Sequence, residues 1–133
     1  MQNQARILIA DDEPVVLELL RSVLEGSGFE TVACRTAAEV RDALDQSKFE
    51  AIVADYRFPG LDAISLHRIL AQKRDELARR LLVITGDVTD PALESFVNDT
   101  GTPVMGKPFD LGSLRRAVHE VLRRPRLRLP ARR

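Results

Sequence analysis

Residues 7–14 read ILIADDEP: an apolar run that stops at three adjacent acids, Asp11, Asp12 and Glu13, followed by Pro14. The run is continuously apolar rather than alternating, as in a strand covered on both faces. Pro14 suits the first turn of a helix, where its missing N–H is no loss. A buried strand that meets a helix through an acidic turn is one βα unit, and the chain repeats the theme. Further apolar runs lie at 30–34, 49–54, 81–85 and 102–106, the last being the weakest. Amphipathic helical patterns fill the intervals at 14–26, 37–46, 62–73, 91–97 and 111–123, with Glu13 read as an acid in the first helical turn. The order βαβαβαβαβα predicts an α/β fold: one parallel sheet, right-handed crossovers and helices on both faces.

Composition narrows the class further. The 133 residues suit one domain with a core of its own. The single cysteine, Cys34, excludes a disulfide framework within the chain and is read as a buried or half-buried thiol in a reducing compartment. No apolar run approaches the ~18 residues of a membrane span, and MQNQAR leads straight into a strand without a signal peptide. The expectation is a cytoplasmic protein without membrane contact. Residues 1–110 carry 12 Lys+Arg against 19 Asp+Glu, a balance of −7, whereas residues 111–133 carry 8 Arg against Glu120 alone, a balance of +7. The division expected is a folded domain over 1–124 and a basic Pro/Arg-rich tail over 125–133, read as a solvated end rather than a nucleic-acid contact.

In a doubly wound sheet, function sits at the carboxyl ends of the strands. The first strand ends at Asp11 and Asp12, the third at Asp55, the fourth at Thr85 and Gly86, and the fifth at Lys107 and Pro108. Three carboxylates would therefore share one rim with a hydroxyl and an ammonium. Two like charges ~4 Å apart repel by about 4 kcal/mol at an effective dielectric of ~20. Protons or a cation must resolve that conflict, and one lysine does not balance three acids. Carboxylates with a backbone carbonyl and retained waters are what Mg²⁺ prefers, with Mn²⁺ as its substitute. A metal with open positions beside a carboxylate suits phosphoryl transfer, with Lys107 offsetting phosphoryl charge, Thr85 and the amide after it donating hydrogen bonds, and Asp55 as nucleophile.

Asp11-Asp12, Asp55, Thr85 and Lys107-Pro108-Phe109, in this order on five βα units, resemble the receiver domains of two-component response regulators from about Arg6 to Arg124. The resemblance implies a flavodoxin-like (βα)5 sandwich with a five-stranded sheet in the order 2-1-3-4-5. It implies that Asp55 is phosphorylated and that Asp11, Asp12, Asp55 and the backbone carbonyl of Arg57 hold Mg²⁺. Thr85 and Lys107 would bind the phosphoryl group, and Lys107-Pro108 would be a cis bond. The implied donor is a sensor histidine kinase or a histidine phosphotransfer protein, and the implied output face is the fourth helix, fifth strand and fifth helix of a monomer or weak homodimer. Such a domain is not a stand-alone enzyme: it catalyses only its own phosphorylation and dephosphorylation. The chain carries no DNA-binding segment, and the downstream effector is not legible.

Several positions depart from the pattern. Val104 replaces the aromatic residue usual three before the lysine, Phe58 stands where Met is common, and Ala63 where Gly is common. Arg57 places a long cation two residues after Asp55, and Asp87 places an acid at the pocket mouth that would hold or repel an attacking water. Glu13, Tyr56, Asp87 and Pro108 form the expected rim, Tyr56 either gating the pocket or packing beside it. The stretch 98–122, NDTGTPVMGKPFDLGSLRRAVHEVL, is similar to receivers joined to hybrid sensor kinases. A receiver that binds a partner without phosphorylation is a further alternative. A flavodoxin-like cofactor binder would need a Ser/Thr/Gly-rich first loop, and Asp11-Asp12-Glu13 would repel its phosphate. An aspartyl phosphohydrolase would need an acid where Arg57 stands. His67 and His119 read as surface or packed residues, and no zinc-type His/Cys cluster occurs.

Overall fold

The computed structural model describes residues 4–124; the tail expected over 125–133 lies outside them. Five parallel strands, β1 (Arg6–Ala10), β2 (Glu30–Cys34), β3 (Ala51–Asp55), β4 (Leu81–Thr85) and β5 (Val104–Gly106), form one sheet in the order β2-β1-β3-β4-β5. The helices are α1 (Pro14–Gly26), α2 (Ala37–Gln46), α3 (Ala63–Lys73), α4 (Asp75–Ala78), α5 (Pro91–Thr100) and α6 (Leu111–Leu122). The expected α/β fold and strand order are both present.

The central strands show why continuous apolar runs marked them. Side chains alternate across a strand, and both faces of this sheet are covered. Leu8, Ala10, Ile52, Ala54 and Val83 face one core, which is completed by α2, α3, α4 and α5. Ile7, Ile9, Val53, Leu82 and Ile84 face the other, against α1 and α6. β4 is buried along its whole length, whereas the edge strands β2 and β5 are only partly covered.

Five boundaries depart from expectation. The short helix α4 was not expected; Arg74 ends α3 with a non-helical backbone (φ −143°, ψ 66°), and its side chain donates to the carbonyl of Leu44 at 2.9 Å. β3 begins at Ala51 rather than 49 and ends, as expected, at Asp55. β5 is three residues rather than five, because only Val104–Gly106 pair with β4. α5 continues to Thr100 and stops at Gly101, whose φ of 71° is the left-handed geometry that glycine tolerates. Glu13 is not in the first turn of α1: it is the N-cap residue with extended backbone, and its side chain is free to reach elsewhere. Two further ends move by one residue: Asp62 is the N-cap of α3, accepting from the Ser65 N–H, and α6 ends at Leu122.

Candidate functional site

Parallel pairing sets the site. Ala10 lies in register with Ala54, Asp55 with Ile84, and Thr85 with Gly106. The residues that leave β1, β3, β4 and β5 therefore emerge along one rim. Asp11, Asp12 and Asp55 each offer a carboxylate oxygen within 4.8 Å of the other two. Asp11 is fully buried, Asp55 is half-buried and Asp12 is exposed.

Lys107 enters this group from the end of β5. Its Nζ donates to Asp11 Oδ2 at 3.1 Å, Glu13 Oε1 at 3.2 Å and Asp55 Oδ1 at 3.3 Å. The other Asp11 oxygen accepts the Glu13 N–H at 2.9 Å, so the buried carboxylate is used on both sides. Burial pushes the Asp55 carboxyl above its ordinary range; Lys107 opposes this, and the charges of Asp11 and Asp12 reinforce it. For Lys107 burial acts against the charge, but the hydrogen bond to Asp11 and the charges of Asp55 and Asp11 outweigh it and raise the ammonium. The protein therefore brings two acids toward Asp55 with a single lysine as counter-charge. The fit to a hard divalent cation is good: three oxygen donors converge, one stays solvated, and Asp55 carries an uncompensated electrostatic cost.

The remaining expected residues lie around this centre. Thr85 is buried, but its hydroxyl is engaged in its own loop, where it accepts the Asp87 N–H at 3.1 Å. The Asp87 carboxylate accepts from the Thr89 N–H at 3.0 Å and the Thr89 hydroxyl at 2.6 Å, and these bonds hold its carboxyl below the usual range. Gly86 is exposed, and a Cβ built there meets nothing within 4 Å. Lys107-Pro108 is a cis peptide, and Pro108 is exposed.

Tyr56 does not stand open at the rim. Its ring is buried, and its hydroxyl donates to Asp90 Oδ2 at 2.8 Å. Arg57 Nη2 bonds the other Asp90 oxygen at 3.1 Å, and its guanidinium lies 5.4 Å from the Tyr56 ring centroid. Asp90 is also the N-cap of α5, accepting the Leu93 N–H at 3.1 Å. The Tyr56 hydrogen bond, then the Leu93 bond, hold its carboxyl low. Sequence reading saw only a helical pattern from residue 91 and missed this partnership. It also missed the reach of Glu13 to Lys107. The two residues of each pair lie 34 and 94 positions apart, so no local pattern marks them.

A parallel α/β sandwich with acids and a lysine gathered at the strand tips defines a flavodoxin-like domain with an acidic pocket. The family model described as response regulator receiver domain matches residues 7–119. The chain belongs to that family, and so to the two-component signalling proteins. It is 34% identical over 122 residues to protein PetR of Rhodobacter capsulatus, covering 89% of this chain and 48% of PetR. It is 26% identical over 123 residues to the transcriptional regulatory protein FixJ of Bradyrhizobium diazoefficiens, covering 92% of this chain and 59% of FixJ. The chain thus spans about half the length of the curated relatives it matches. Among solved structures, a CheY-like receiver domain protein from Methanospirillum hungatei superposes with a TM-score of 0.81 at 23% identity, covering 90% of this chain and 94% of that one. Chemotaxis response regulator CheY4 of Vibrio cholerae gives 0.78 at 18% identity, covering 90% and 99%. These likenesses show the fold. Among the described residues, no helix is long and apolar enough to cross a membrane.

Proposed function

We propose that this domain is a phospho-acceptor: Asp55 takes a phosphoryl group from a phosphohistidine on a sensor histidine kinase or histidine phosphotransfer protein. The observation that carries this reading is the convergence of Lys107 on Asp11 and Asp55, with Asp12 alongside, at the tips of three strands. Asp11, Asp12 and Asp55, with the Arg57 carbonyl, would hold Mg²⁺ or Mn²⁺, which supplies positive charge against the phosphoryl oxygens. The chain's own groups do the rest. A carboxylate oxygen of Asp55 bonds to phosphorus as the phosphorus–nitrogen bond breaks, and the imidazole nitrogen keeps the electron pair. Lys107 is placed to follow the new charge, because its Nζ already bonds Asp55. Thr85 and the Gly86 amide, one and two residues beyond the partner of Asp55 on β4, would donate to the phosphoryl oxygens.

The product would add about −1.5 to −2 charge, by analogy with phosphoserine, and bias the 85–109 region between two conformations. The domain would work as a relay element whose output face is α5, β5 and α6, either alone or within a longer protein such as a hybrid sensor kinase. Hydrolysis of the acyl phosphate would be its only turnover.

Intact-mass measurement after incubation with acetyl phosphate tests this. One phosphoryl adduct is expected on the natural chain with Mg²⁺, none without it, and none on Asp55→Asn. An equal adduct on Asp55→Asn would overturn the site. No adduct on the natural chain, together with no beryllofluoride-induced spectral shift, would leave a receiver that binds partners without phosphorylation.

A further inference from the structure

The segment between β4 and α5 is knit together from end to end. Thr85 Oγ1 accepts from the Asp87 N–H, Asp87 Oδ1 accepts twice from Thr89, and Asp90 caps α5 through the Leu93 N–H. Val88 leans over β5 so closely that a Cβ on Gly106 would lie 3.1 Å from its Cγ1. Asp90 joins this segment to the turn that follows Asp55, through Tyr56 and Arg57. That attachment has a rigid post: the Tyr56 N–H donates to the Ile84 carbonyl at 2.7 Å, its carbonyl accepts the Ala63 N–H at 3.0 Å, and its ring is buried. Arg57 grips the same carboxylate from the outside, with its own side chain 67% exposed and that of Asp90 18%.

The Thr85 hydroxyl faces its own loop while Asp90 is held on Tyr56. Its own proton points to the Asp87 carbonyl at 3.4 Å, so to donate to an oxygen on Asp55 it must give up that acceptor, and the 86–90 turn must be rebuilt. A turn fastened to Tyr56 at its far end resists rebuilding. New negative charge on Asp55, two residues before Arg57, also offers that guanidinium a competitor to Asp90.

We propose that Tyr56 and Asp90 are a positioning pair. Their hydrogen bond holds the 86–90 loop with Thr85 turned away from Asp55, and breaking it is the event by which phosphorylation is passed to α5. This inference rests on the phospho-acceptor reading. It gives the domain a tyrosine readout just after β3, where the sequence supplies Val104 rather than an aromatic residue on β5.

Tyr56 is the only tyrosine and the chain has no tryptophan, so its intrinsic emission reports this bond directly. A tyrosine hydroxyl bonded to a carboxylate is quenched. Titration of the natural chain with Mg²⁺ and beryllofluoride should raise the emission saturably. Asp90→Asn, which keeps a good N-cap, should start bright and show no further rise. Beryllofluoride affinity is read in parallel by ¹⁹F NMR on the natural chain, Tyr56→Phe and Asp90→Asn. Both variants should bind about tenfold more tightly, because a bond that opposes the bound form has been removed. Damage to folding would weaken binding instead. Bound fluoride with unchanged Tyr56 emission, or equal or weaker binding by both variants, overturns the pair and leaves the acceptor reading standing. No bound fluoride resonance on the natural chain overturns the acceptor reading and this inference with it.

Discussion

Asp55 is the residue at which the pocket's electrostatics meet. Burial and two neighbouring acids raise its folded pKa, and Lys107 offsets only part of that. A carboxyl with a raised folded pKa lends stability below its unfolded pKa and loses it as pH rises through the folded value. In the absence of metal the ionised Asp55 is therefore a cost at neutral pH. Asp55→Asn keeps an oxygen for Lys107 and removes the charge. It should raise metal-free stability at pH 7 by on the order of 1 kcal/mol, about 4 °C in Tm. The gain should shrink as pH falls below about 4, where the carboxyl takes up its proton in the unfolded chain as well. Thermal melts in a chelating buffer at several pH values check this; a lower Tm for the variant at pH 7 would show that Lys107 outweighs the acids. Cys34 offers a contrast: burial pushes its thiol up to about 11, in keeping with a packed rather than reactive residue.

At the scale of elements, local chemistry and tertiary demand are separable. α2 starts from Thr36, whose hydroxyl oxygen accepts the Glu39 N–H at 3.2 Å, while Glu39 reaches back to the Arg35 N–H at 2.7 Å. That is a capping box shifted by one residue at its return bond. Thr36→Ala should cost about 1 kcal/mol in urea unfolding without altering phosphorylation. The turn that leads from β3 into α3 makes a different demand. Leu61 N–H bonds the Phe58 carbonyl at 3.2 Å, and Gly60 has a φ of 78° with Ala37 Cβ 3.4 Å from where its own Cβ would be. Gly60→Ala should cost about 1–2 kcal/mol from the left-handed backbone alone. The start of α1 was legible from Pro14. α4 was not, because a single turn has no periodicity to detect and is held by burial of Leu77 and Ala78 against the core.

Considered as a whole molecule, the domain gathers acids at one rim and is stabilised by anything that binds there and not to the unfolded chain. Mg²⁺ at about ten times its Kd should add about 1.4 kcal/mol. Asp12→Asn should abolish that gain, since Asp12 is the exposed oxygen donor of the three. Thermal denaturation over a Mg²⁺ series measures it, and an equal rise in Tm for the variant would place the ion elsewhere. The charge division of the sequence acts at this scale too, with a balance of −7 over 1–110 and +7 over 111–133. The sequence by itself determined the alternation of five strands with five longer helices, the two-sided burial of β1, β3 and β4, and the identity of the acids at the strand tips. Those follow from side-chain period and from residue types that act within a few positions. Only the tertiary structure decided that Lys107 would bond Asp11, Glu13 and Asp55 together, that Thr85 would turn into its own loop, and that Tyr56 would close on Asp90. Those pairs are set by the parallel register and by the lengths of the crossovers, which bring distant tips to one rim and leave no repeat in the chain to announce them.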